Sequence, residues 1–210
     1  MPLTPTHRLC ATPAGPGAIE IPPLSPEAAS LWFWTGNLLR QAPPRTPGPL
    51  LCWSGWLTED ADPEAGWFGP DPRIWGPGAW QRLGEAIVEA RDRGIDLLLR
   101  PHPRHVLSDA SRWQRMAREA GARLVAEPLA LLTGSMLDDL DDHLARTLAV
   151  MTHGAGPAAW LLAGAAPVDR DPELLRPCPP QQSCVPMDRV LASIPEVGAA
   201  PVILLDGPGA

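Results

Sequence analysis

Along the chain, short apolar runs alternate with stretches in which apolar residues return every three or four positions. The runs are AIEI (18–21), PLLCWSGW (49–56), IDLLLR (95–100), ARLVAE (122–127), AAWLLAG (158–164) and PVILLD (201–206). Runs with so little polar alternation belong to strands buried on both faces, as in a parallel sheet covered by helices. Four helical stretches separate the later runs. The first, 79–94, puts Leu83, Ile87 and Ala90 on one face and ends at the stop signal Gly94. The others are 108–121, 135–151 and 187–194. Segment 25–41, SPEAASLWFWTGNLLRQ, also predicts a helix: Ser25 can cap it, Pro26 suits its first turn, and Glu27 suits its positive end.

Residues 1–17, rich in Pro, Thr and Gly, predict an irregular lead-in, and 18–210 a single α/β domain. The stretch 57–78 and the stretch 167–186 predict loops. Six strands fit either an open doubly wound sheet or a barrel that lacks strands. No strand is followed by GxGxxG and no P-loop is present, which removes the usual nucleotide-binding devices. The 28 prolines among 210 residues favour many stiff connections over long helices.

The formal net charge of −7 argues against a nucleic-acid partner, although Arg112, Arg115 and Arg118 share helical spacing. No apolar run approaches membrane-spanning length, so no membrane partner is expected. The cysteines, at 10, 52, 178 and 184, lack CxxC spacing, and the start of the chain lacks a signal-peptide pattern. The expected location is cytoplasmic.

Candidate chemistry sits where the runs end. Ser54-Gly55, Arg100-Pro101-His102, Glu127-Pro128 and Asp206-Gly207 each close an apolar run with polar or turn residues. In parallel α/β folds reactive groups gather at the carboxyl ends of strands, and a polar residue leaving a buried strand needs solvent, a partner or a ligand. His102 and His105 stand three apart within PHPRH, a metal-ligand spacing that the flanking prolines make more typical of a stiff loop. Trp53, Trp56, Trp67, Trp75 and Trp80 could stack on a sugar ring, or pack a long loop against the fold. His143 lies in the acidic DDLDDH face, and CWSGW is not a nucleophile elbow.

The order of these segments, above all residues 79–133 together with LLCWSGWL and PVILLDG, resembles the sugar phosphate isomerase/epimerase family of xylose isomerase-like TIM barrels related to endonuclease IV. The likeness covers roughly 50–206. It implies a parallel (β/α) TIM-barrel-like fold, shortened at its N-terminal side, since a full barrel takes about 250 residues. It also implies a small carbohydrate or sugar phosphate ligand and a divalent metal ion (Mn, Mg or Zn) held at the strand ends, if the protein is active.

Carried over position by position, the family's first metal-binding Glu falls on Arg100, its Asp on Glu127, its later His on Ala130 and its last Glu on Asp206. The ligand expected near Ala163–Ala166 has no counterpart. The resemblance therefore leaves Glu127 and Asp206 as metal ligands of an eroded site. Glu127, His102 and Asp206 are the catalytic candidates, and Arg100, Ser54 and Trp53 the substrate-binding ones. Guanidinium cannot ligate a metal, so an Arg100–Glu127 or Arg100–Asp206 ion pair is expected where the cation would sit. Two readings stand: an isomerase/epimerase-like protein acting on or binding a small carbohydrate, or a non-catalytic descendant kept for ligand binding or protein contact.

Overall fold

The computed structural model describes residues 5–9, 18–24, 29–57, 72–154, 156–169, 171–195 and 200–205. Its strands are β1 (His7–Leu9), β2 (Ile19–Ile21), β3 (Leu31–Trp34), β4 (Leu50–Trp53), β5 (Leu97–Arg100), β6 (Arg123–Ala126), β7 (Ala159–Leu162), β8 (Gly164–Val168), β9 (Asp171–Cys178) and β10 (Val202–Leu205). The α-helices are α1 (Pro77–Asp92), α2 (Ala110–Ala120), α3 (Leu140–Thr152) and α4 (Met187–Ser193).

Eight strands form one sheet in the order β1-β10-β7-β6-β5-β4-β3-β2, and every pairing is parallel except β2 with β3. The two edges nearly meet. His7 bridges Pro23, and the Leu24 amide donates to the Thr6 carbonyl at 2.8 Å. Buried His7 braces this seam through Nε2, 2.8 Å from the Ala29 carbonyl oxygen. The result is a barrel-like α/β fold in which β8 and β9 form a separate antiparallel hairpin.

Alternation within the apolar runs sorts two cores. Leu51, Leu98, Val125, Leu161 and Ile203 share the barrel interior with Phe33 and Leu205. Their chain neighbours Leu50, Leu97, Leu99, Leu124, Leu162 and Val202 face outward and pack under Leu83, Ile87, Trp113, Met116 and Leu148 of the helices. Covering both faces with carbon explains why the strands read as continuous apolar runs. The helix boundaries follow local chemistry: Asp109 caps α2 by accepting from the Arg112 amide at 2.8 Å, and Gly121 ends it in the left-handed region.

Several expectations are corrected. The predicted helix over 25–41 does not form among its described residues. Leu31–Trp34 is strand β3, followed by a turn at 38–40. LWFW is dense in aromatics, which suit a strand covered on both faces, and that tertiary setting outweighs the capping signals before it. Residues 25–28, including Ser25, Pro26 and Glu27, lie outside the described residues. The lead-in contains β1, ordered by its pairing with β10. The 167–186 loop is largely the β8–β9 hairpin. The N-terminal part therefore supplies three strands of the sheet, and among the described residues no α-helix stands between β1 and β4.

Candidate functional site

Inward alternation continues past Leu51, Leu98 and Val125 to Trp53, Arg100 and Glu127, which places all three at the C-terminal end of the barrel interior. Arg100 pairs in register with Trp53. Its guanidinium lies 3.9 Å from the centroid of the Trp53 ring and 5.7 Å from that of Phe33. From this position it donates twice to Glu127, Nε to Oε2 at 3.1 Å and Nη2 to Oε1 at 3.0 Å. Arg100 is 0% exposed and Glu127 2%, so the pair is fully withdrawn from water. Such a pair keeps its place because both carboxylate oxygens are met by guanidinium N–H groups. The third nitrogen, Nη1, has no hydrogen-bond partner among the described residues.

Behind this pair, proline and hydrogen bonds fix the PHPRH turn. The His102 amide donates to the Leu107 carbonyl at 3.1 Å, and the Val106 amide to the Gly55 carbonyl at 3.1 Å. Ser54 Oγ accepts from the Leu107 amide at 3.2 Å. Gly55 adopts φ +85°, and a Cβ there would sit 2.8 Å from Leu39 Cγ, so the sharp turn needs glycine. Asn37 locks the facing loop by donating to the Trp56 carbonyl at 2.7 Å and accepting from the Leu39 amide at 3.0 Å.

The turn stacks His102 on His105 with centroids 4.1 Å apart, and His105 on Trp56 at 5.0 Å. Trp53 meets both imidazoles edge-on. His102 Nδ1 accepts from the Arg104 amide at 3.1 Å. Burial first, and then the neighbouring His105, Arg100 and Arg104, hold the His102 pKa well below the usual imidazole value. His102 is therefore a neutral ring at physiological pH. The unfolded chain takes up a proton below about pH 6.5 that the folded one refuses, so acid favours unfolding. Stability is expected to fall as pH drops through 6.5, by up to about 1.4 kcal/mol per pH unit for one proton. His102→Asn, which can keep the acceptor for the Arg104 amide, should flatten that slope. Urea unfolding at pH 7.5, 6.5 and 5.5 checks it, and parallel slopes in the two proteins would refute it.

A pocket opens above the pair, lined by Trp53, His102, Glu127 and Ala130 from the strand ends and by Leu175 and Arg176 from β9. Its accessible volume is about 20 Å³, room for about one water-sized group. The hairpin forms its roof. The Ser135 amide donates to Glu173 at 3.2 Å, and a Cβ on Gly134 would collide with the Pro172 carbonyl, so β9 rests on bare backbone there.

The structure thus brings together Arg100, His102, Glu127 and Trp53 of the candidates read from sequence. Ser54 is near but does not line the pocket; its hydroxyl is spent on the turn. Asp206 lies outside the described residues. The tryptophans do not form one cluster: Trp75 is half exposed, Trp80 on α1 donates its indole N–H to Glu119 of α2 and lies beneath Arg115, and Trp67 is outside the described residues. The acidic DDLDDH face is paired with Arg146 and Arg189. Asn37 and Arg176 are site residues beyond the sequence candidates, whereas His105 and Trp56, read from sequence as a metal spacing and a stacking ring, pack beside His102. Asn37 lay inside the expected helix and Arg176 inside the expected loop. For His105, the tight PHPRH spacing was the available signal.

The described residues do not by themselves fit a divalent cation. Both Glu127 oxygens are taken by a guanidinium, and among the described residues no three His, Cys, Asp or Glu side chains are grouped to hold one. No helix among the described residues is long and apolar enough to cross a membrane. The chain matches no protein-family model, and no curated protein shows significant sequence similarity to it.

Proposed function

We propose that this protein is a ligand-binding descendant of the sugar phosphate isomerase/epimerase-like TIM barrels, taking a small carbohydrate or its phosphate ester at the C-terminal mouth. The observation that carries the reading is the buried Arg100–Glu127 pair beneath the pocket. It spends the carboxylate that the resemblance assigns to a metal, and it leaves a polar floor inside an otherwise carbon-lined barrel. Trp53 offers an aromatic face, His102 a neutral imidazole, and Arg100 Nη1 a buried donor with no acceptor among the described residues. Aromatic surface beside a few fixed polar groups is what carbohydrate recognition needs. The enclosed volume admits one hydroxyl-sized group, so a sugar ring would enter with displacement of the β8–β9 roof.

A catalytic reading would need a carboxylate free to move a proton, and among the described residues that line the pocket the one carboxylate, Glu127, accepts from Arg100 at both oxygens. The test is an NMR titration with ribose and ribose 5-phosphate, run beside an aldose–ketose assay with and without Mn²⁺, Mg²⁺ or Zn²⁺. Shifts at the Trp53 indole and at the 101–107 amides, without turnover, are the expected result. Turnover that depends on added metal would return the protein to the isomerases. No shift with either sugar would end the carbohydrate reading.

A further inference from the structure

Among the described residues, the charges around the pocket do not balance. Of those that line it, Glu127 and Arg176 carry a formal charge, and His102 is the other titratable group. Glu127 is matched by Arg100, nitrogen for oxygen. His102 is held neutral by burial and by the cations beside it. What remains is the guanidinium of Arg176, exposed on β9 opposite Ala166 and with no ion pair among the described residues. Its neighbours Leu175 and Pro177 also line the pocket, so this stretch of hairpin forms the rim.

We infer that Arg176 is a specificity-determining residue, selecting carbohydrates that carry an anionic group, a phosphate ester or a carboxylate, over neutral ones. The inference rests on the carbohydrate reading of the mouth. The enclosed part takes a hydroxyl-sized group, while a bulky, hydrated anion stays at the rim, where a guanidinium fork matches two of its oxygens. An exposed cation is screened, so the preference is moderate, about tenfold, and it weakens with salt.

The test is calorimetric titration of the whole chain with ribose 5-phosphate, ribonate, ribose and inorganic phosphate, at low and high NaCl. Wild type should bind one or both of the anionic sugars about tenfold tighter than ribose, and whichever is tighter names the anion. Arg176→Gln lies on the surface and should keep the wild-type melting temperature. It should lose the preference for the anionic sugars over ribose, and Arg176→Lys should fall between. A preference that survives Arg176→Gln overturns the inference, as does wild type binding ribose equally tightly; both leave the carbohydrate reading standing. Inorganic phosphate bound as tightly as the ester also overturns it. Failure to bind any sugar ends both.

Discussion

Glu127→Gln should lower the stability of this protein by about 3–5 kcal/mol, the usual cost of removing one partner of a buried ion pair. The substitution changes almost no volume. It replaces one of two accepting oxygens with an NH₂ group that faces an Arg100 N–H, donor against donor, at a site where Arg100 and Glu127 are 0% and 2% exposed. Glu127 now receives bonds at 3.1 and 3.0 Å. The variant loses at least one of them and leaves a guanidinium uncompensated inside the barrel, with the Trp53 ring 3.9 Å and the Phe33 ring 5.7 Å away to stabilise it in part. For a domain of this size that is a fall of roughly 10 °C in Tm.

The double variant Arg100→Met, Glu127→Leu should recover most of the loss, because apolar groups of similar size fill the interior without stranding a charge. Calorimetry of wild type, the single variants and the double completes the cycle. If Glu127→Gln melts within about 2 °C of wild type, less than the ~1 kcal/mol that a single hydrogen bond contributes, the pair is not the keystone that its burial makes it.

The same pair shows what the sequence could and could not disclose. Arg100 and Glu127 were legible because each ends an apolar run, and strand ends of a parallel sheet share one pole. Which of them met was set by the alternation that turns 98, 100, 125 and 127 inward. Helices α1 and α2 were legible from period and stop signals. Strand β3 was not, since Ser25-Pro26-Glu27 reads as a helix start and only the parallel pairing of Trp32–Trp34 with Leu50–Cys52 decides otherwise. Strand β1 is three residues long and exists through its partner β10; a stretch so short carries no period of its own. The hairpin's proline-rich strands hid Arg176 for a similar reason: DPELLRPC resembles a loop until it is paired against Gly164–Val168.

Arg100→Glu should be the more destructive change and the more informative one. It places a second carboxylate beside Glu127 inside the barrel, where two like charges about 4 Å apart repel by about 4 kcal/mol at an effective dielectric near 20, in addition to the bonds lost. The apo variant should therefore unfold well below wild type. It should also gain what wild type lacks, two carboxylates facing one another with no guanidinium between them, the beginning of an oxygen site for a hard divalent cation. Mn²⁺ or Mg²⁺ should raise the Tm of Arg100→Glu in a concentration-dependent way, by linkage between binding and folding, and EDTA should reverse it. Wild type should show no such shift, because the Arg100 charge occupies the place and both Glu127 oxygens are committed. A wild-type Tm that climbs with stoichiometric metal would mean that Arg100 gives way to the cation. A variant indifferent to metal would mean that exchanging this one charge does not create a cation site beside Glu127.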